Sequence, residues 1–315
     1  MPPSSGRPSL RALAAPSSLK GVLSALDAAA ALAEGFRGAG VECDELPVAD
    51  GGEGTLEALS AAGLVTRSHE ADVRDAFGGP RLAEWVELDG KVAVCEAAQA
   101  IPLDPRRRDV RAASSRGVGE LIRAACNAGA QALVVTLGGT ANMDVGAGLL
   151  EVLDTLPVPT RVACDVQTKL ADAPRLYGPQ KGASPDDVRE LTAQFAHHAF
   201  GHLAGSGAAG GLGAALASLG AELVPGGPLV LELLRFDPRG YDVVVTGEGT
   251  VDETTFEGKA PAAVADACER AGVRCVVFGG RVLAGDAVAL TGIPGRARED
   301  LVTLGSRLAR DLARR

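Results

Sequence analysis

The sequence predicts an α/β protein of two domains, and three observations carry that prediction. Its 315 residues exceed the size at which a single hydrophobic core stops growing. Its composition, 46% apolar with only 3% aromatic residues and 41 glycines, is that of Ala-, Val- and Leu-filled helix-on-sheet layers. Finally, short β-branched runs ending in glycine alternate with helical stretches. That is the pattern of parallel sheets, whose ligands sit at the carboxyl ends of the strands.

In order along the chain, residues 10–15 form a short apolar run stopped by Pro16, read as a strand. Leu and Ala recur at helical spacing over 24–37. An extended pattern resumes at 41–48 and runs into ADGGEGT, followed by a helix over 56–62. From Thr66 to Glu96 the texture changes to TRSHEADV, PRLAEWVEL and KVAVCE, separated by FGG and the turn pair Asp89-Gly90. Strands this closely spaced pair antiparallel, and a domain boundary is expected near residue 66. Alternation then returns. GVGELIRAACNAG leads into ALVVTLGG, TRVACDV follows, a helix is expected over 185–200, and YDVVVTGEG and RCVVFGG are strands ending in glycine. The last 20 residues, 296–315, read as an amphipathic helix packed on the surface.

The net charge of -9 argues against nucleic acid or an anionic membrane as partner, since neither attracts an acidic protein. A small-molecule ligand is expected instead. No run reaches the ~18 apolar residues of a membrane span, and the opening MPPSSGRP lacks the apolar core of a signal peptide. It reads as a disordered lead-in, and a cytoplasmic location is expected. The six cysteines form no C-x-x-C pair, so they read as small buried hydrophobes rather than metal ligands or disulfides.

No G-x-x-x-x-G-K-[ST] loop is present. A G-x-G-x-x-G match at Gly205, Gly207 and Gly210 follows a predicted helix, whereas a dinucleotide fingerprint follows a strand. His198 and His202 lack the intervening glutamate of a zinc helix, and no G-x-S-x-G elbow occurs. What remains is a set of glycine turns: ADGGEGT, LGGTANMD, GPQKGAS, GSGAAGG and TGEGTVD. Each alone is an ordinary connection; several over one sheet would aim backbone N–H groups at an anion. The basic residues sharpen this: only five are lysines against 26 arginines, yet Lys20, Lys181 and Lys259 each adjoin glycine. A compact ammonium beside flexible backbone suits a phosphate's charge. Asp50, Glu53, Asp144, Asp165, Glu248 and Asp252 accompany these turns. Phosphoryl transfer uses such carboxylates to hold Mg²⁺ and to take a hydroxyl proton. Solvated or capping carboxylates are the bland alternative, with Asp252 capping a helix near Thr255.

APSSLKGVLSA, VADGGEGT, GVGELI, LGGTANMDVGAGLL, VACDV, YGPQKGA, GSGAAGGLGAAL and TGEGTVDETTFEGKAP occur in the order found in bacterial glycerate kinases of the type I family, which the chain resembles over 11–280. The resemblance implies transfer of the γ-phosphate of ATP to D-glycerate with Mg²⁺, giving 2-phosphoglycerate. It implies a Rossmann-like domain built from both chain ends (1–65 and 237–315), an inserted α/β domain with a mixed sheet (66–236), and an active site in the cleft between them. Monomer and homodimer both stay open. On this reading Lys20, Asp165, Asp252 and Lys259 are catalytic, with Asp165 or Asp252 as base. Gly51, Gly52, Gly138, Gly139, Thr140, Asp144, Lys181, Gly247, Glu248 and Gly249 bind substrate or phosphate, and Asp50 and Glu53 hold the metal. The sequence departs from the family pattern at Ser17 (usually Asp), at Asn142, Met143 and Val145 (usually Thr, Asn and Gly), and at Thr250 (usually Arg), and its middle segment is short. These departures admit two alternatives, a kinase for another small hydroxy acid and a catalytically impaired relative that binds nucleotide or carboxylate.

Overall fold

The computed structural model describes residues 10–256 and 258–314, so the expected lead-in lies outside the described residues. The chain forms two compact units, residues 1–49 with 231–315, and residues 50–230.

The first unit opens with β1 (Arg11–Ala14), α1 (Ala25–Gly38) and β2 (Glu42–Glu45). Ser24 starts α1 by accepting the Asp27 N–H at 3.0 Å, an N-cap with the acid placed in the first turn. Its buried face is almost all Ala, closed by Leu32 and Phe36.

The second unit carries α2 (Thr55–Ala61), β3 (Arg67–Arg74), β4 (Pro80–Leu88), β5 (Val92–Glu96), α3 (Ala97–Ala100), α4 (Arg116–Asn127), β6 (Ala132–Thr136), α5 (Ala147–Leu150), β7 (Thr160–Cys164), α6 (Ala173–Tyr177), α7 (Pro185–Phe195), α8 (Leu212–Ser218) and β8 (Glu222–Pro225), and α9 (Gly226–Leu233) runs across its end. Its sheet has the order β3-β4-β5-β6-β7-β8. The three closely spaced strands pair antiparallel, and β5 to β8 continue in parallel. The predicted antiparallel segment is therefore one edge of a mixed sheet. Trp85, Leu121, Ile122, Leu133 and Val135 lie in its core, each large side chain worth about 1.5–3 kcal/mol of burial. α7 stops at Phe195 instead of reaching 200. Phe195 is buried, and the chain turns there, with the Gly201 N–H bonded to the His198 carbonyl at 2.9 Å.

The chain returns to the first unit with β9 (Val243–Val251), α10 (Ala260–Ala271), β10 (Cys275–Val282), β11 (Val288–Ala289) and α11 (Ala297–Ala313). The sheet order is β11-β10-β9-β1-β2, parallel throughout. β9 and β10 do not end at their glycines as expected; they run through Gly247, Gly249, Gly279 and Gly280. The reason is steric, since a methyl on Gly247 would meet the Phe278 carbonyl oxygen at 2.2 Å. The final helix packs on α1 by a mutual notch. A methyl on Gly35 would strike the Val302 carbonyl at 2.1 Å, and one on Gly305 the Leu32 carbonyl at 2.4 Å. Leu301, Leu304 and Leu308 bury the rest of that face.

The units divide at 49/50 and 230/231, earlier than the expected 65/66 and 236/237. The turn before α2 is bonded into the second unit's sheet, where the Gly54 and Leu56 N–H groups donate to Glu96 on β5. All six cysteines are free and four are buried. Burial pushes the Cys43 and Cys164 thiols up to about 12, which keeps them protonated and unreactive. Among the described residues no helix is long and apolar enough to cross a membrane.

Candidate active site

In the second unit, the predicted residues gather at the carboxyl ends of β6 and β7. The turn holding Asp50, Gly51, Gly52 and Glu53 lies across the end of β6. The Gly51 carbonyl accepts the N–H groups of Leu137 (2.9 Å) and Gly138 (3.3 Å). Backbones meet here without side chains: a methyl on Gly138 would stand 2.5 Å from Cα of Gly52 and 3.0 Å from Oδ2 of Asp165. A methyl on Gly52 would lie 3.3 Å from Oδ1 of Asp50. Asp50 and Asp165 thus flank one glycine crossing. Gly51 has φ +86°, and a methyl there would meet Gly226 Cα at 3.0 Å. Gly139, at φ +79°, faces Glu53, whose Cβ lies 3.3 Å from the position of a methyl. The 139–141 segment is fixed to 101–103 by Leu103 N–H to Gly139 O (2.8 Å) and Ala141 N–H to Ile101 O (3.0 Å).

Lys181 is the buried cation of this group, 4% exposed. Its Nζ donates to the Asn142 carbonyl at 2.9 Å and to Thr140 Oγ1 at 3.4 Å. Burial lowers its pKa from 10.5 to about 8, opposed by the nearby charges of Asp165 and Asp144. A buried amine poised near neutrality is characteristic of a functional site.

Asp144 is held by donors of the chain itself. Its two oxygens accept from Ser115 N–H and Oγ (both 2.8 Å), Asn142 Nδ2 (2.9 Å), and the Gly146 and Gly148 N–H groups (both 3.1 Å). The carboxylate ties the TANMDVGAG loop to the start of α4, so its lone pairs are spent within the chain. Met143, a departure from the family pattern, is buried with Val110, Leu170, Phe195 and Ala214; Val145, another, has φ 54°.

In the first unit, Glu248 on β9 and Lys259 at the cap of α10 approach to 3.7 Å, with side chains 15% and 22% exposed. Glu248 Oε1 also accepts the Thr255 hydroxyl at 2.7 Å. Around Asp252 the chain closes a turn: the Asp252 N–H donates to Thr255 Oγ1 at 3.0 Å, and the Asp252 carbonyl accepts the Thr255 N–H at 3.1 Å. Lys20 is exposed on a tight turn, and its backbone N lies 3.3 Å from where a methyl on Gly249 would stand. Ser17 donates its N–H to the Gly247 carbonyl at 2.9 Å. Thr250 pairs in register with Arg281 of β10, which sets an arginine on the neighbouring strand beside the position that has lost one.

Among the described residues no group of three or more His, Cys, Asp or Glu side chains is arranged to hold a metal by itself. Asp50 and Glu53 nevertheless supply hard oxygen donors beside glycine backbone. This fits Mg²⁺, which takes one or two carboxylates and completes its shell with water and phosphate oxygens. Sequence reasoning passed over Glu96 and Ser115. Glu96 ends the apolar run KVAVCE, and an acid closing a buried strand was the available signal.

Comparison with known proteins follows the same lines. The chain matches the glycerate kinase family over residues 12–158 and 154–295. It is 36% identical to "Glycerate 2-kinase" of Escherichia coli over 315 residues, 83% of this chain and 82% of that protein. It is 35% identical to "Glycerate kinase" of Bacillus subtilis over 329 residues, 87% and 85% of the two chains. A crystal structure assigned to a glycerate kinase 2 of Salmonella typhimurium LT2 superposes with a TM-score of 0.77 at 31% identity, covering 97% of this chain and 98% of that one. Agreement over nearly the full length, in sequence and in fold, establishes that the chain belongs to the glycerate kinase family.

Proposed function

We propose that this protein phosphorylates D-glycerate from ATP with Mg²⁺, forming 2-phosphoglycerate. The observation that carries the reading is the glycine crossing of Gly52 and Gly138 with Asp50 and Asp165 on its flanks, in a chain of this family. The buried Lys181 bears electrostatically on Asp165. Phosphoryl transfer asks little covalent work of a protein; position and charge stabilisation do most of it.

In this reading Asp50 and Glu53 hold Mg²⁺, which when bound neutralises phosphate oxygens. Gly51, Gly52, Gly138 and Gly139 admit the substrate close to backbone, and Thr140 lines the same ledge. Lys181 supplies positive charge, and Asp165 takes the proton of the attacking hydroxyl, with Asp252 as the other candidate base. Asp144 acts by holding the loop from which Lys181 accepts its geometry. In the first unit Gly247 and Gly249 offer bare strand backbone. Lys20 and Lys259 neutralise phosphate or carboxylate charge, and Glu248 orients Lys259. The two units serve as the Rossmann-like and inserted domains of the family, and an ATP-consuming reaction on a soluble metabolite suits the cytoplasm.

The test is product identification by NMR after incubation with ATP, Mg²⁺ and D-glycerate. 2-Phosphoglycerate is expected; the 3-phosphate corrects the regiochemistry, and no product from glycerate overturns the reading. Asp165→Asn and Asp252→Asn then separate the bases. The true base loses about 10²–10⁴ in kcat, and near-normal turnover in both removes the assignment.

A further inference from the structure

Glu96 has no role in the function proposed above, yet it is among the most unusual side chains in the molecule. It ends β5 and is 2% exposed. A buried carboxylate is expensive unless its oxygens are satisfied, and these two reach back 42 and 40 residues in sequence to one short turn. Oε1 accepts the Gly54 N–H at 3.4 Å, and Oε2 accepts the Leu56 N–H at 3.2 Å. Gly54, at φ 92°, stands at the N-cap of α2 and has no side chain to perform the cap itself. Glu96 caps the helix from another strand.

The same turn is anchored on its other side. The Gly51 carbonyl accepts Leu137 N–H at the end of β6, and the Thr55 hydroxyl donates to the Gly52 carbonyl at 2.7 Å. Residues 50–56 are therefore pinned at one end to β6 and at the other to β5, two neighbouring strands. Between the pins lies Glu53, which is exposed. A local Ser or Thr cap would have satisfied α2 alone; a bidentate acid fixed in the sheet also sets where the backbone carrying Asp50 and Glu53 stands.

We infer that Glu96 is a positioning residue, a buried clamp that holds the 50–56 turn so that the carboxylates of Asp50 and Glu53 meet a divalent cation in one geometry. The inference rests on the assignment of Asp50 and Glu53 to the metal.

The test uses the full chain and two readouts that need no turnover. Hydrogen exchange is followed at the Gly54 and Leu56 amides, and Mn²⁺ binding in the presence of ATP is followed by electron paramagnetic resonance. In Glu96→Gln one acceptor becomes a donor facing an N–H. Exchange at both amides should accelerate at least tenfold, and the Mn²⁺ dissociation constant should rise about tenfold, as for outer residues that orient ligands. Glu96→Asp keeps the charge but shortens the reach by one methylene; it should give the same two changes and serves if the Gln variant does not fold. Glu53→Gln should weaken Mn²⁺ while leaving exchange at 54 and 56 as in the parent. Unchanged exchange in the Glu96 variants overturns the clamp, and faster exchange with unchanged Mn²⁺ affinity overturns the positioning role. If Asp50→Asn and Glu53→Gln both bind Mn²⁺ normally, the metal assignment fails instead, whatever the Glu96 variants do. Absence of glycerate phosphorylation in the parent would fall on the proposed function and leave both readouts intact.

Discussion

The two units present their charges in opposite ways. In the second, Lys181 and Glu96 are buried and Asp144 is saturated by the chain's own donors. In the first, Lys20 is exposed, and Lys259 meets Glu248 at 3.7 Å with part of both side chains open to water. For Lys181, Glu96 and Asp144 the desolvation and ordering costs are met during folding, so these groups are fixed before any substrate arrives. In the first unit Lys20 and Lys259 keep part of their contact with water. Preorganised groups contribute most where charge develops in a transition state, while solvated ones serve mainly to attract and retain an anion.

The largest expected effect is at Lys181. Lys181→Met should lower kcat about a hundredfold, as for loss of one preorganised donor, with a smaller change in KM. In the parent, activity that needs the ammonium should fall as pH rises through about 8. Stability should move the other way. The unfolded lysine keeps its proton up to about 10.5 while the folded one releases it near 8, so the unfolded state binds more protons in that window and stability rises with pH across it. Melting temperatures from pH 7 to 10.5 check this, and Lys181→Met should flatten the trend.

Next is Asp144→Ala. It strands several buried donors, each charge-assisted bond being worth about 1.5–3 kcal/mol. Urea denaturation should show a loss of at least that size, and a purely kinetic defect at full stability would overturn the loop-holding role given to Asp144. Lys259→Ala comes third: KM for ATP or glycerate should rise roughly tenfold while kcat holds, with sensitivity to salt reduced, as for a partly solvated charge. An equal fall in kcat would put Lys259 with the preorganised groups. The smallest effect is expected at Gly249→Ala, where a methyl meets Lys20 N at 3.3 Å and the neighbouring turn has only to give slightly. Less than about 1 kcal/mol of stability should be lost, against about 1–3 kcal/mol for Gly138→Ala, where backbone and carboxylate crowd the methyl.

Much of the fold is legible in the sequence. Short apolar runs and glycine punctuation located β1, β6, β7 and the antiparallel edge, because those are local patterns bounded by local turns. The glycine-flanked Lys181 was also legible, since a rare lysine beside flexible backbone is a compositional signal. What escaped were relations across sequence. Glu96 acts on residues 40 and 42 positions away, and Asp144 on Ser115 at a separation of 29; no periodicity encodes either. β9 runs past Gly247 because its neighbour Phe278 requires a missing Cβ there, so a residue that reads locally as a terminator is a condition of strand pairing. α7 ends at Phe195 because burying that ring turned the chain, which outweighed the helical pattern of the next five residues.

The notch between Gly35 and Gly305 bears on how the protein is made. The first unit joins residues 1–49 to 231–315, and its opening helix is seated against its closing one by backbone contact at two glycines. During synthesis α1 emerges early, with β1 and β2 beside it, but the helix that seats against Gly35 is missing until α11 leaves the ribosome. The contiguous second unit can fold in the interval. The order of folding therefore departs from the order of synthesis: the helix made first completes its packing among the last.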